Sequence, residues 1–271
     1  MCPIIQIITN TSGYGSIVER IVANDETTER NRLSAPNIMK VTTIQIAVRN
    51  SLDKNLNTIL KAIQANANDT DWLVLPESVT TNWCRPLHNK TIIKQIEDQA
   101  KLANINIAYG TPWQNQNVVR MKKRDQSAQI YAKRWLAGME HKIYKPGDRQ
   151  IVVDGIAPLI CNDFWATPGT AEINPYLPQL CARQGANILF CCANTNAPKF
   201  DKVLYDWHDA NLRTWAKQLG VWVVVSNPST DWDGLDVEDS VQCPTGIINP
   251  VGDWVAKCMH HGEEAVSFNI K

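Results

Sequence analysis

The regular alternation of short apolar runs with amphipathic segments, from residue 41 onward, is the sequence feature that most restricts the fold. Residues 41–48 (VTTIQIAV) read as a strand, and residues 51–67 carry apolar side chains every three or four positions, which predicts a helix. The same patterns predict strands at 72–77, 105–112, 127–133, 155–161, 187–193, 221–227 and 264–271, helices at 91–105, 172–185 and 205–219, and a hairpin turn at 250–253. Such an alternation predicts an α/β fold with helices packed outside sheets.

The N-terminal residues differ from the rest of the chain. Residues 1–38 are polar and rich in charged side chains, with neither helical nor strand periodicity, and are predicted to form a weakly ordered extension. Met39 and Lys40 open the first strand, and no linker is visible after them. The sequence therefore predicts one domain at residues 39–271, and we expect it to stay folded and soluble without residues 1–38.

Charge and hydropathy exclude two classes of partner. Lys+Arg and Asp+Glu both number 27, so the formal net charge is zero and there is no basic field to attract nucleic acid or anionic lipid. No stretch approaches the roughly 18 consecutive apolar residues that a membrane span needs. We therefore expect a cytoplasmic protein that binds neither nucleic acid nor membranes, and whose partner is a small molecule.

The cysteines and histidines give no metal or disulfide signature. The eight cysteines include no CxxC pair, several lie inside apolar runs, and the five histidines form no HExxH motif. Reduced, buried thiols are the expected state for most of these cysteines. Gly13 and Gly15 lack the third glycine of a dinucleotide-binding turn. We expect neither a metal nor an organic cofactor.

Three polar residues end predicted strands: Glu77, Lys133 and Cys161. Strand ends open onto the crevices where ligands bind in layered α/β folds. Each residue alone is unremarkable, but together they supply a nucleophile, a base and a cation. A carboxylate can deprotonate a thiol, and an ammonium group can stabilise the oxyanion that forms when the thiolate attacks a carbonyl carbon. The set can support covalent acyl transfer without a histidine.

The segments around these residues resemble the nitrilase superfamily of carbon–nitrogen hydrolases, over essentially the whole chain from Lys40. DWLVLPES (71–78), SAQIYAKRWL (127–136) and LICNDFW (159–165) are similar to the family segments that bear the catalytic glutamate, lysine and cysteine. KPGD at 145–148 resembles the family's PGD turn.

Two assignments within this resemblance need argument. Glu140 falls where the family often carries a second, supporting glutamate. Lys142 competes with Lys133 for the lysine role, because HKIY also resembles the motif. We prefer Lys133, since it leaves Glu140 and the KPGD turn in the expected order behind it.

The resemblance implies a four-layer αββα sandwich, in a single domain that commonly forms a homodimer or higher homo-oligomer. It also implies a mechanism in which Glu77 deprotonates Cys161 and a thioester forms on the cysteine. Lys133 and the backbone N–H of Asn162 would stabilise the oxyanion, and Glu140 would orient Lys133 or the substrate.

The substrate class is predicted less sharply. Trp165, Asn194 and Thr195 are candidate substrate-binding residues, and the segments that contain them resemble the amidase and N-carbamoyl amino acid amidohydrolase branches. Phe164 and Trp165 stand where the latter branch has arginines. Amides or ureides are favoured over nitriles. Acyl transfer to an amine through the same thioester, and a non-catalytic binding protein on the same fold, are the alternatives.

Overall fold

Two β-sheets stacked face to face form the centre of the computed structural model, which describes residues 38–49, 51–80, 89–165, 176–195, 200–229, 241–259 and 262–271. The strands are β1 (Met39–Gln45), β2 (Trp72–Val74), β3 (Asn106–Trp113), β4 (Gln116–Lys122), β5 (Gln129–Ala132), β6 (Ile156–Ile160), β7 (Ile188–Cys192), β8 (Trp222–Ser226), β9 (Gly246–Ile248), β10 (Trp254–Lys257) and β11 (Glu264–Ile270). The helices are α1 (Leu52–Ala65), α2 (Lys90–Leu102), α3 (Asn162–Trp165), α4 (Leu177–Arg183) and α5 (Lys202–Leu219), with a short 3₁₀ helix at Gly138–Lys142.

The first sheet has the strand order β11-β1-β2-β3-β4-β5, and the second has the order β10-β9-β8-β7-β6. The central strands β1, β2 and β3 run parallel, as do β6, β7 and β8, whereas the remaining pairs are antiparallel. The two sheets meet through apolar contacts such as Trp72 against Phe190, whose ring centroids lie 5.5 Å apart. Hydrogen bonds also join the two sheets directly: the Thr43 hydroxyl donates to the carbonyl of Val225 at 2.7 Å.

Helices cover the outer faces of both sheets. Ile59 and Ile63 of α1 and Ile96 of α2 are fully buried in a cluster with side chains of the first sheet. Leu212 of α5 and Cys181 of α4 are equally buried in the cluster that contains the second sheet. The predicted four-layer αββα order within one domain is therefore confirmed.

Most predicted elements are present, and several of their ends are shifted. Helix α5 begins at Lys202 because the Asp201 side chain accepts from the backbone N–H groups of Val203 and Leu204. Helix α2 ends at Leu102, short of the predicted residue 105. Of the predicted helix at 172–185, the structure describes α4, and residues 166–175 lie outside the described ranges. Strand β4 was not predicted.

The six cysteines that the structure describes are all buried and unpaired, as expected, whereas Cys2 and Cys84 lie outside the described residues. The predicted extension at 1–38 lies outside them except for Ile38. Among the described helices, none has the length and apolar character required to span a bilayer.

Candidate active site

Glu77, Lys133 and Cys161 each follow a strand end, and the fold brings these ends together between the two sheets. Glu77 follows β2 and Lys133 follows β5 in the first sheet, while Cys161 follows β6 in the second. The backbone N–H of Glu77 donates to the carbonyl of Ala193, which follows β7, at 3.2 Å. The predicted site is thus assembled from both sheets.

Lys133 is the centre of a buried ionic network. Its side chain is 1% exposed, and its Nζ lies 2.8 Å from Oε1 of Glu77 and 2.8 Å from Oε2 of Glu140. Glu140 belongs to the 3₁₀ helix, and its Oε2 also accepts from the backbone N–H of Ala137 at 2.7 Å. Lys142, the alternative lysine, is exposed. The geometry therefore favours Lys133 as the functional lysine.

Asn117 of β4 completes this network, although the sequence analysis did not identify it. Its Nδ2 donates to Oε1 of Glu77 at 2.6 Å and to Oε1 of Glu140 at 2.8 Å. Its backbone carbonyl accepts from the N–H of Lys133 at 2.8 Å. The only signal in the sequence was a polar residue ahead of the short apolar pair Val118-Val119, which is too weak to predict a strand.

Cys161 occupies a strained turn between β6 and α3. Its φ angle is +44°, which lies in the left-handed region that residues with a side chain seldom adopt. Its backbone N–H donates to the carbonyl of Cys192 at 3.1 Å, and its Sγ lies 4.0 Å from the carbonyl oxygen of Asn194. This turn holds the thiol at the end of the strand.

Asp163 ties the cysteine segment to the lysine segment. One carboxylate oxygen accepts from the backbone N–H groups of Arg134 and Trp135 at 3.1 and 2.8 Å. The other accepts from the Tyr131 hydroxyl at 2.8 Å and from the backbone N–H of Ile160 at 3.0 Å. Burial raises the pKa of Asp163 to about 6, although these donors oppose the shift. Asp163 therefore has a structural role beside the site.

Close approach of two backbones requires a glycine at two points. A Cβ on Gly110 of β3 would lie 2.4 Å from the Cα of Glu77. A Cβ on Gly147, in the KPGD turn, would lie 2.3 Å from the carbonyl oxygen of Ala132, and the Gly147 N–H donates to the carbonyl of Lys133 at 2.8 Å. Both glycines allow neighbouring chain segments to hold the site residues in place.

Burial and charge shift the ionisation of all three central residues. Burial raises the pKa of Glu77 to about 7, with Glu140 adding to the shift and Lys133 opposing it. Burial also raises the pKa of the Cys161 thiol well above its usual range, and the nearby charge of Glu77 adds to this rise. For Lys133, burial favours the neutral amine, but Glu77, Cys161 and Glu140 together raise its pKa above the ordinary value. At neutral pH the resting site holds a protonated thiol, an ammonium group and a carboxyl group close to its titration midpoint.

The remaining predicted residues lie around this centre. Asn162 opens α3, where the first backbone N–H groups of a helix have no intrahelical partner. Thr195 donates from both its backbone N–H and its hydroxyl to Oδ1 of Asn227, at 3.0 and 3.1 Å. The Trp165 ring packs against the His208 ring on α5, with 4.5 Å between the ring centroids. Substrate binding by Trp165, Asn194 and Thr195 stays a prediction.

Among the described residues, no group of three or more His, Cys, Asp or Glu side chains is placed so that it could bind a metal ion.

Comparisons with known proteins identify the fold. No family model matches the sequence, and no curated protein matches it either. Solved structures do match: an amidase from Nesterenkonia sp. superposes with a TM-score of 0.71 at 15% identity, covering 86% of this chain and 90% of that chain. A CN-hydrolase superfamily protein from Xanthomonas campestris, with an arsenic adduct in its active site, superposes with a TM-score of 0.65 at 18% identity, covering 86% and 91%.

A variant of the Nesterenkonia amidase carries the acetamide moiety of fluoroacetamide covalently attached to its active-site cysteine, and it superposes with a TM-score of 0.72 at 13% identity, covering 86% and 90%. Another structure of that enzyme is described as belonging to the nitrilase superfamily, and it superposes with a TM-score of 0.68 at 14% identity, covering 86% and 90%. This chain therefore has the fold of the nitrilase superfamily of carbon–nitrogen hydrolases.

Proposed function

We propose that this protein is a cysteine-dependent hydrolase that cleaves the C–N bond of a small amide or N-carbamoyl compound. The observation that carries the proposal is the buried Glu77–Lys133–Glu140 network beside Cys161, on a fold shared with an amidase that forms a covalent adduct at its cysteine. All three groups of the proposed triad are present and influence one another electrostatically, which a protein that only binds its ligand does not require.

The reaction begins with proton transfer from Cys161 to Glu77. Because the pKa of Glu77 lies near 7, its carboxylate is a stronger base than an exposed glutamate and is still available at neutral pH. Oε1 of Glu77 already accepts from Lys133 and Asn117, while Oε2 accepts no hydrogen bond from the described residues. We assign Oε2 as the atom that takes the thiol proton.

The thiolate then adds to the amide carbon, and the carbonyl oxygen becomes an oxyanion. Lys133 and the backbone N–H of Asn162 are the groups that stabilise this charge. The C–N bond breaks, Glu77 returns its proton to the leaving nitrogen, and ammonia or an amine departs. A thioester between the acyl group and Cys161 remains.

Water completes the cycle. Glu77 deprotonates the water that attacks the thioester carbon, the C–S bond breaks, and the proton on Glu77 returns to the thiolate. The acid product leaves and the resting site is restored. An amine in place of water would give acyl transfer by the same steps.

The first test measures ammonia release from a panel of primary amides, N-carbamoyl amino acids, ureido acids and nitriles. We expect release from amides or ureides, and we expect Cys161→Ala to abolish it because no nucleophile remains. Cys181→Ala is the matched control, since Cys181 is a fully buried thiol on α4 outside the ionic network. Activity retained in Cys161→Ala would overturn the assignment. A folded wild-type protein that is silent across the whole panel would overturn the proposed hydrolysis.

A further inference from the structure

The amide group of Asn117 joins the two glutamates of the site. Its single NH₂ group donates one N–H to Oε1 of Glu77 and the other to Oε1 of Glu140, at 2.6 and 2.8 Å. Asn117 is 1% exposed and lies near the start of β4, where it pairs with Pro112 of β3 and its carbonyl accepts from the backbone N–H of Lys133 at 2.8 Å. Both of its donors are therefore committed to the ionic network around Lys133.

The orientation of this amide is fixed by charge. With the amide reversed, Oδ1 would face two carboxylate oxygens, and three acceptors would meet without a proton between them. In the observed orientation, Oδ1 is buried and accepts no hydrogen bond from the described residues. A buried acceptor without a partner is unfavourable. The two charge-assisted hydrogen bonds to the glutamates offset that cost.

Asn117 also distinguishes the two glutamates. On Glu140 both oxygens accept hydrogen bonds, Oε1 from Asn117 and Oε2 from Lys133 and the backbone N–H of Ala137. On Glu77 both donors bind Oε1. The bridge thus rotates the Glu77 carboxylate so that one oxygen is held and the other is available.

We propose that Asn117 is a positioning residue of the reaction: its amide bridge favours the carboxylate form of Glu77 and orients it as the base, and keeps Glu140 as the support of Lys133. This inference rests on the proposed function, because it assigns how the base of that reaction is held. It adds a fourth side chain to the Glu77, Lys133 and Glu140 network.

Other charged and titratable groups also face Glu77, and the bridge acts in the same direction as Lys133 and against Glu140. Lys133 after β5 favours the charged carboxylate, whereas Glu140 on the 3₁₀ helix disfavours it. The thiol of Cys161 after β6, and those of Cys191 and Cys192 on β7, are close enough to interact with Glu77 electrostatically. Of the groups named here, only Lys133 would still favour the charged form of Glu77 once Asn117 is removed.

The test compares the pH dependence of kcat/KM in the wild type, Asn117→Ala and Asn117→Asp. In Asn117→Ala the Glu77 carboxylate loses its amide donor and is destabilised. The acidic limb of the kcat/KM profile is therefore expected to move up by about one pH unit. At a pH below this limb, kcat/KM is then about tenfold lower than in the wild type. Asn117→Asp adds a negative charge and is expected to move the limb further. Should the alanine variant fail to fold, Asn117→Ser, which keeps one donor, replaces it in the comparison.

Asn55→Asp is the matched control, because Asn55 of α1 is an equally buried amide that hydrogen-bonds both backbone groups of Arg49, away from the site. It is expected to lower the melting temperature and leave the acidic limb in place. An acidic limb that also stays in place in Asn117→Ala and Asn117→Asp, with only stability lost, would overturn the inference.

A second readout does not depend on turnover. The Glu77 carboxyl can be titrated by ¹³C NMR in protein labelled at the glutamate δ-carbon, with its signal identified by its loss in Glu77→Gln. We expect its titration midpoint to rise in Asn117→Ala. A folded wild type that hydrolyses no compound of the panel would overturn the proposed function, whereas an unchanged midpoint in Asn117→Ala would overturn the role of Asn117 alone.

Discussion

At the scale of single residues, the two glutamates of the site have different hydrogen-bond environments and therefore different capacities for proton transfer. Glu140 receives three donors over its two oxygens, which fixes the orientation of its carboxylate. Glu77 keeps one oxygen without a donor from the described residues and has a pKa raised by burial. A group that must take and return a proton needs such a pKa near the working pH.

The ionisation of Glu77 predicts the pH dependence of the reaction. In the proposed mechanism Glu77 must be deprotonated to act as the base, so kcat/KM is expected to fall as the pH drops below about 7, the raised pKa of Glu77, rather than near the ordinary value of 4.5. On the alkaline side the pKa of Lys133 is raised, so activity is expected to hold through pH 9. A profile of kcat/KM from pH 5 to pH 10 checks both limbs.

The profile belongs to the coupled set of groups, and a variant identifies the contribution of Glu77. Glu77→Gln is expected to reduce kcat at every pH and to remove the acidic limb near 7 from the residual activity. An acidic limb that persists unchanged in Glu77→Gln would assign the titration to another group and contradict this prediction.

At the scale of elements, β3 positions the loop that carries Glu77. The N–H of Gly110 donates to the carbonyl of Pro76 at 3.0 Å, and the carbonyl of Gly110 accepts from the N–H of Val79 at 3.0 Å. Because a Cβ on Gly110 would overlap the backbone of Glu77, Gly110→Ala must push this loop away. If Glu77 acts as the proposed base, kcat is expected to fall on the order of 100-fold, since a displacement of about 1 Å at a catalytic group has this effect.

A matched substitution separates loop displacement from loss of stability. Gly185 has a left-handed φ of +93° and no atom within 4 Å of the added Cβ, so Gly185→Ala introduces backbone strain alone. We expect it to lower the melting temperature without changing kcat. Equal kcat values in both variants, measured on the same substrate, would show that Gly110 does not control the position of Glu77.

The elements also explain what could and could not be predicted from the sequence. Strand ends revealed Glu77, Lys133 and Cys161, because each closes a recognisable apolar run. Strand β4 escaped prediction because Arg120 interrupts its apolar residues, and only the folded chain places that charge beside Glu97, at 2.8 Å. Asn117 escaped prediction together with β4, since its hydrogen-bond partners lie 23 and 40 residues away in sequence.

At the scale of the whole molecule, the site depends on the two sheets keeping one register. The first sheet supplies Glu77 and Lys133 and the second supplies Cys161. Contacts across the interface fix their relation: the Ser226 hydroxyl donates to the carbonyl of Ile44 at 2.6 Å, and Glu77 donates to the second sheet through its backbone. The buried apolar faces could be predicted from the spacing of apolar residues along the chain, whereas the relative position of the two sheets depends on contacts between residues far apart in sequence.

The boundary of the domain is the last feature that the whole molecule makes testable. Strand β1 lies between β2 and β11 and pairs with β11 from Met39, opposite Ile270, to Gln45, opposite Glu264. The backbone N–H of Lys40 donates to the Asp71 side chain at 2.8 Å. All of these partners remain when residues 1–38 are deleted. We therefore expect the truncated protein to be soluble and active, with a melting temperature within about 4 °C of that of the full chain.

Deletion of residues 1–45 is the matched control. It removes β1 as well, so β2 and β11 lose their common neighbour and the buried side chain of Val41 leaves the core. We expect this longer deletion to abolish cooperative unfolding and ammonia release, because a central strand cannot be replaced by solvent. Thermal denaturation followed by circular dichroism compares the two truncations directly. If the shorter truncation proved insoluble or melted without a transition, the domain would begin upstream of Met39.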